Sequence, residues 1–258
     1  MRALSSLTLL LFFVLSGCAT ETSRPTVRSV PRAERMDLVV LDFVNNTAGG
    51  KGKAFKPWEL GLASMMMTDL ESMGLFNIIS RDDVRDLSMN RGLQFTSNHV
   101  DEDTLEVGRL VGARYVLAGS FLEMSGKLRM EARVFSVEKG MQLGAASVDG
   151  KTDAFFELQK QLVIEISPYL EAALDDAETS IIAANVETTS VQASLNNYAG
   201  EIAVLQAQEC RERGEPDRAD ALLEEAKQKF ETALEHDPKY KRAKENLAKL
   251  VMGIPMTL

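Results

Sequence analysis

The feature that most constrains the fold is a pair of neighbouring apolar segments with different periodicities. Residues 115–121 are almost continuously apolar, whereas residues 128–134 alternate apolar and charged side chains. The first pattern predicts a strand buried on both faces, and the second predicts a strand with one face toward solvent. Turn residues at 125–126 and 139–140 suit hairpins, so an antiparallel meander ending in a third strand near residues 141–148 is expected.

Upstream of the meander, short strands alternate with helices. Residues 38–43 and residues 76–80 are apolar, β-rich runs bounded by turn formers. Between them, Pro57 opens a helix that Gly74 ends. Its apolar side chains recur at helical spacing: Trp58, Leu62, Met65, Met66, Leu70 and Met73.

Two further helices precede the meander and one follows it. Ser80 is the expected N-cap of a helix from Arg81, and a short helix is expected over residues 101–111. The helix after the meander places one apolar stripe on the sheet, with Pro168 bending it: Phe155, Leu158, Leu162, Ile166, Tyr169, Leu170 and Ala173. The sum is an α/β domain over residues 37–175, a mixed sheet of about five strands flanked by helices.

The order of these elements and three sequence blocks resemble the CsgG family of curli assembly and transport components. The blocks are residues 39–46, residues 75–81 and residues 108–120. The last block is the most specific, because Leu110 to Ser120 run from the helix end through Gly-Ala into the strand as in that family. The resemblance implies the fold, which is shared with the N-terminal domain of TolB. It does not fix the function, because such proteins include secretion channels, activators of peptidoglycan synthases and flagellar accessory lipoproteins.

The pore-forming relatives insert transmembrane hairpins, and each such strand needs about 9–11 residues of alternating character. Residues 44–56 and 91–100, the loops in which such hairpins could lie, are short and polar. A pore formed by this chain alone is therefore not expected.

The N-terminus predicts export. Arg2, the apolar run at residues 7–15 and the small residues before Cys18 have the layout of a secretory signal. The run is shorter than the roughly 20 residues that a transmembrane helix needs.

Residues 15–18 (Leu-Ser-Gly-Cys) resemble a lipobox. This resemblance implies cleavage after residue 17, lipid attachment at Cys18 and, with Ala19 following, the outer membrane. Residues 18–36 would then be a lipidated linker. The alternative is an ordinary secretory signal with a cysteine near the cleavage point.

A helical segment follows the α/β domain. Residues 176–194 are polar and predict a linker or a helix extension, and residues 195–258 resemble a tetratricopeptide module. The resemblance rests on residues 214–219 at the start of its second helix and on Phe230, Ala233 and Pro238 near its end. Only about one and a half repeats exist, so we expect the module to pack on the α/β domain or on another copy.

No residue pattern predicts catalysis, a metal site or a cofactor. His99 and His236 lack ligands at suitable spacing, and the glycine-rich segment 49–53 lacks the pattern of a phosphate loop, so it predicts a surface loop. Asp42 beside two asparagines is explained by the end of a strand. The chain is therefore not expected to be an enzyme.

Composition limits the partners. The net charge of −9 argues against nucleic-acid binding. If Cys18 carries lipid, Cys210 is left without a disulfide partner and is expected in a helix core. The basic stretch of residues 239–244 is interpreted as a solvated helix face that could touch acidic partners.

The expected function is that of an outer-membrane-anchored periplasmic lipoprotein of the CsgG family, an assembly or transport accessory or scaffold that binds proteins. Its partners would be other envelope proteins or further copies, with no small-molecule substrate. The alternative is an activator of a peptidoglycan synthase, and a secretion channel is least favoured.

Overall fold

The computed structural model describes residues 30–91 and 100–256. The expected signal peptide 1–17, Cys18, most of the linker and His99 lie outside the described residues. Within the described ranges, no helix is long and apolar enough to cross a membrane.

The chain alternates strands and helices, then folds into a meander, and ends in helices. The strands are β1 (Met36–Val40), β2 (Val44–Asn45), β3 (Phe76–Ile78), β4 (Tyr115–Met124), β5 (Lys127–Ser136) and β6 (Met141–Lys151). The helices are α1 (Gly49–Phe55), α2 (Pro57–Ser72), α3 (Arg81–Arg91), α4 (Val100–Leu110), α5 (Phe155–Ile166), α6 (Asp176–Ala184), α7 (Val191–Glu212), α8 (Pro216–His236) and α9 (Lys241–Met252).

The sheet is mixed, as the sequence predicts. Its order is β3-β1-β4-β5-β6, with the two-residue strand β2 paired to the end of β4. β1, β3 and β4 are parallel, and β4, β5 and β6 form the antiparallel meander. The expected strand 38–43 is divided, because β1 ends at Val40 and pairing resumes at Val44 in β2.

Each face of the sheet carries a different layer. The larger core lies under α2 and α5, where the Trp58 and Phe155 rings stack at 3.8 Å. The smaller core on the other face joins Val116 and Ala118 of β4 to α3 and α4 through Val84 and Val107. Apolar and charged residues alternate along β5, and its apolar side chains face the larger core.

Turn chemistry agrees with the sequence at the element ends. Gly74 follows α2 with φ +66°, and Ser80 Oγ accepts a hydrogen bond from the Asp82 N–H at the start of α3. Ser125 and Gly126 both have positive φ, 55° and 81°, so they close β4 and β5 in a two-residue hairpin.

Two local expectations are wrong. Segment 49–53 is not a loop, because residues 49–55 form helix α1; the Asn45 side chain donates to the Gly52 carbonyl at 2.9 Å and secures it. In the stripe after the meander, Tyr169 is 40% exposed and Ala173 is also exposed. α5 ends at Ile166 and a short 3₁₀ turn through Pro168 re-aims these side chains, so that Tyr169 covers Gly144 of the edge strand β6.

The helical module packs on the α/β domain, as expected. Leu195 and Tyr198 of α7 belong to the larger core, and the Tyr198 ring lies so close to Gly61 of α2 that a Cβ there would overlap it. α8 returns along α7 after Gly214, and Leu222, Leu223, Ala226 and Phe230 pack toward α7. At the start of the polar segment 176–194, Asp175 just before it and Glu178 form a reciprocal N-terminal cap of helix α6. The chain then leaves helical structure before Ser190 caps α7.

Candidate binding surface at the hairpin end

The ends of β4, β5 and β6 furthest from the start of β1 enclose a shallow apolar groove of about 480 Å³. We call it the hairpin groove. Its lining comes from all three strands: Leu122, Met124, Lys127, Leu128, Arg129, Asp149, Gly150 and Lys151. The tight turn at Ser125 and Gly126 fixes β4 against β5, so the groove is built on a rigid part of the sheet.

Two large apolar side chains of the hairpin groove face solvent. Met124 is 67% exposed and Leu122 is 37% exposed. They continue the face of β4 on which Val116 and Ala118 are covered by α3 and α4, but the core on that face ends before Leu122. Exposed apolar side chains grouped in a concave surface are typical of a binding site.

The charges beside these apolar residues are arranged unevenly. Arg129 pairs with Glu131 at 2.7 Å and lies 4.0 Å from an Asp149 oxygen. Lys127 and Lys151 instead lie directly opposite each other across β5 and β6. Both are exposed, and neither forms an ion pair with a carboxylate in the described part of the chain. The groove therefore presents two neighbouring ammonium groups beside an apolar surface.

Glu123 anchors the back of the hairpin. Its side chain is 1% exposed, and its Oε1 accepts hydrogen bonds from Lys51 Nζ at 2.9 Å and from the Gly126 N–H at 2.6 Å. The Glu123 N–H donates to Thr47 Oγ1. The hydrogen bond from Lys51 is the main cause that lowers the pKa of Glu123. The Glu123 carboxylate therefore ties α1 to the hairpin turn, and its backbone N–H ties the loop before α1 to β4.

A second cluster of charges lies at the junction of the α/β domain and the helical module. The Asp69 side chain is fully buried and accepts from Lys160 Nζ, which is 2.7 Å from both carboxylate oxygens. Gln159 and Asn185 donate to the same carboxylate at 2.8 and 2.9 Å. The cavity beside this cluster is only about 20 Å³, which is about the space of one water molecule.

The helical module has its own buried carboxylate. Glu201 of α7 accepts from Arg242 Nε at 2.7 Å, and from the amides of Asn197 and Asn246 at 2.9 and 2.8 Å. The Arg242 guanidinium also lies over the Tyr198 ring at 5.2 Å. Arg242 is thus a half-buried partner of α7, and the interpretation of residues 239–244 as a wholly solvated face is wrong at this position.

The other residues singled out in the sequence lie apart from the hairpin groove. Cys210 is a free, buried cysteine in α7, as predicted. His236 is exposed in the last turn of α8. Asp42, between β1 and β2, forms an ion pair with Arg81 at 3.2 Å. In the described ranges no group of three or more His, Cys, Asp or Glu side chains is arranged to hold a metal ion.

Sequence reasoning missed the hairpin groove. The residues concerned are Leu122, Met124 and the facing lysines, and all of them lie at the ends of strands. In the sequence they cannot be told apart from the residues at which any strand passes into a turn. The available signal was the two-residue turn at 125–126, which pairs Met124 with Lys127, but the pairing of Lys127 with Lys151 depends on the register of β6.

The fold and the matched residues decide the family. The family described as "Curli production assembly/transport component CsgG" matches residues 21–153. The chain belongs to the CsgG family. The match covers the sheet and its helices up to the end of β6, and therefore contains every residue of the hairpin groove.

Three solved structures are also similar to this member of the CsgG family. The LpoB C-terminal domain from Salmonella enterica is 18% identical with a TM-score of 0.36, covering 45% of this chain and 83% of that one. Lipoprotein GNA1162 from Neisseria meningitidis is 16% identical with a TM-score of 0.37, covering 54% and 99%. The PelC dodecamer from Paraburkholderia phytofirmans is 16% identical with a TM-score of 0.32, covering 56% and 94%.

No curated protein matches the chain. At the identities and TM-scores of the three structures, nothing about partners or activity transfers from them. The CsgG family, described as an assembly and transport component, is what the comparisons establish for this chain.

Proposed function

We propose that this CsgG-family chain is an accessory or scaffold for assembly or transport at the cell envelope, and that it works by binding another protein at the hairpin groove. Lipid on Cys18 would hold it at the outer membrane, facing the periplasm. No catalytic step is assigned to it.

The observation that carries this proposal is the exposure of Leu122 and Met124 in a groove set on a rigid sheet. Burial of apolar surface is the main driving force for association, and grouped exposed apolar residues on a fixed framework form the centre of protein interfaces. Membership in a family of assembly and transport components supports the same function.

The position of the groove fits a tether at the N-terminus. The described chain enters at Val30, whose N–H donates to the Gly74 carbonyl next to β3. Leu38 pairs with Tyr115 at the start of β4, and Met124 lies at the other end of that strand, about 30 Å further at 3.3 Å per residue. Residues 18–29 can span at most roughly 40 Å. The groove would thus face away from the tether.

Site-directed photocrosslinking in native cells tests the proposed function. A photoreactive residue at Met124 should capture a distinct envelope protein, because this side chain would contact the partner. The matched control is Met141, which is 55% exposed and lies at the start of β6, at the opposite end of that strand from the hairpin groove. Failure of position 124 to give a specific adduct would contradict the proposal. Capture of a peptidoglycan synthase would favour the role of synthase activator.

The anchor is tested separately. Cys18→Ser should abolish incorporation of labelled palmitate and release the chain from the outer-membrane fraction, because the lipid anchor would be lost. Cys210→Ser is the matched control and should change neither result. A chain that stays in the membrane fraction without Cys18 would show that the lipid is not its anchor.

The helical module is proposed to be a tetratricopeptide-like unit that contributes a second contact surface. Its support is the helix hairpin at Gly214 and the apolar stripe of α8 that packs on α7. Val251 and Met252 at the end of α9 are exposed, as the outer face of an unfinished helical array would be.

A further inference from the structure

We infer that the hairpin groove binds an acidic, apolar segment of a partner protein, with a carboxylate at the facing lysines Lys127 and Lys151. This inference rests on the proposed function and adds the chemistry of the partner.

The facing lysines are the first observation. Residues directly opposite in an antiparallel pair have their Cβ atoms about 5 Å apart, and like charges there destabilise the sheet. Lys127 and Lys151 are in this position, and no carboxylate in the described ranges pairs with either of them. The nearby Arg129 differs from the two lysines, because its Nε forms an ion pair with Glu131 Oε1 at 2.7 Å. An anionic group bound between the two lysines would relieve their repulsion.

Charge complementarity indicates the sign of the charge on the partner. The whole chain has a net charge of −9, so an acidic segment would be repelled by most of its surface. The unpaired lysines Lys127 and Lys151 give the hairpin groove a local positive charge. This positive charge attracts an acidic partner to the apolar lining beside it.

The apolar lining shows that charge alone does not describe the ligand. Leu122 and Met124 present apolar surface next to the lysines, and the groove volume of about 480 Å³ is in the range of sites that enclose several side chains or a small ligand. A segment with an apolar side chain beside an Asp or a Glu satisfies both parts of the groove.

The groove favours a peptide over a lipid surface. A flat membrane would first touch the tip of the hairpin, and the tip residues Ser125 and Gly126 are small and carry no apolar side chain of insertion size. The apolar side chains instead line a concavity across three strands. Anionic membrane binding is therefore the competing outcome of the test.

Peptide binding to the full chain, held in nanodiscs of neutral phosphatidylcholine, tests this inference. The probe is a capped fluorescent peptide that alternates leucine and aspartate, and its matched control alternates leucine and lysine. Fluorescence anisotropy should show saturable binding of the aspartate peptide and none of the lysine peptide. Equal binding of the two peptides would overturn the inference.

Charge-reversal variants locate the site. Lys127→Glu and Lys151→Glu should each weaken binding of the aspartate peptide at least about tenfold, because each replaces attraction by repulsion. Lys239→Glu and Lys241→Glu make the same change of charge at exposed positions of the helical module and should leave binding unchanged. Equal affinities in all four variants would place the peptide elsewhere and overturn the inference.

A stability measurement separates binding from a structural role. Lys127→Glu turns the like-charged pair into an opposite-charged pair, so its melting temperature should rise while peptide affinity falls. A lower melting temperature would mean that Lys127 stabilises the fold, and would contradict the inference. Loss of binding to phosphatidylglycerol vesicles in these variants, without any peptide binding, would replace the peptide by a membrane. A specific crosslink at Met124 with no peptide binding would leave the proposed function intact and reject only the acidic partner.

Discussion

The hairpin groove and the two buried carboxylates, Asp69 and Glu201, use charge in opposite ways. Asp69 at the junction and Glu201 within the helical module are completely buried, and each accepts hydrogen bonds from a cation and from amides. At the groove, Lys127 and Lys151 face each other and are exposed, and no carboxylate in the described part of the chain forms an ion pair with either of them. Buried charges must be paired within the molecule, whereas exposed charges can remain available to a partner. The buried charges therefore stabilise the fold, and the exposed charges of the groove are free to bind.

The largest expected effect is at the pair of Glu201 and Arg242 inside the helical module. Glu201→Ala should lower the free energy of unfolding by about 3–5 kcal/mol, because Arg242 would remain partly buried without its carboxylate. Urea denaturation measures this change. Glu245→Ala is the control: its carboxylate makes an exposed pair with Lys241 at 3.4 Å, and a change below about 0.5 kcal/mol is expected. If the two variants lost the same free energy of unfolding, the distinction between buried, paired charges and exposed charges would be wrong.

The second prediction concerns the contact of α2 with α7. Gly61→Val should lower the free energy of unfolding by about 3 kcal/mol, because its side chain would overlap the Tyr198 ring in a packed core. Gly50→Ala places its Cβ in open space and should change stability by less than about 0.5 kcal/mol. If Gly61→Val were as stable as Gly50→Ala in thermal unfolding, the docking of α7 on α2 would be wrong.

The third prediction is a pH dependence at the back of the hairpin. Because the folded pKa of Glu123 is lowered, its ionised form contributes stability above its ordinary pKa of 4.5. That contribution is lost as the pH falls through the lowered folded value. Glu123→Gln should therefore reduce the free energy of unfolding by about 1 kcal/mol at pH 7, since Lys51 is partly exposed.

The check is a pair of urea titrations across the pH range. The difference between Glu123→Gln and the unchanged chain should be constant from pH 7 to about pH 5, and should shrink below the ordinary pKa. A difference that grew as the pH fell would show that the pKa is raised instead.

The smallest expected effect is in the hairpin groove itself. Met124→Ser should change the free energy of unfolding by less than about 0.5 kcal/mol, because Met124 is 67% exposed. Leu128→Ala, in the same groove lining but 1% exposed, should cost about 2–5 kcal/mol. Thermal unfolding compares them. A large loss in Met124→Ser would make Met124 part of the core and weaken the case for a binding surface.

Much of the fold followed from local patterns. The alternation of residues 128–134 correctly gave the buried and exposed faces of β5, and the turn residues at 125–126 gave the hairpin. Helix α2 began at Pro57 and ended before Gly74 as predicted. These features depend on residues within a few positions of each other, so a sequence window contains the information.

The errors came from contacts outside such a window. The glycines of residues 49–53 favoured a loop, but Asn45 and the Lys51–Glu123 pair hold that segment as α1. Arg242 was grouped with exposed lysines, although Glu201 lies 41 residues earlier and turns it inward. The apolar stripe placed Tyr169 in the core, but the turn at Pro168 moved it over β6.

The sequence by itself determined the family, the mixed sheet with its flanking helices, and the expectation of a lipid anchor at Cys18. It did so because strand alternation, helix periodicity, turn residues and the lipobox resemblance are all short-range patterns. Only the tertiary structure decided that Lys127 faces Lys151, that Leu122 and Met124 are uncovered, and that Glu201 pairs with Arg242. Strand register and helix docking bring together residues distant in the chain, and these distant residues form both the groove and the buried ion pair.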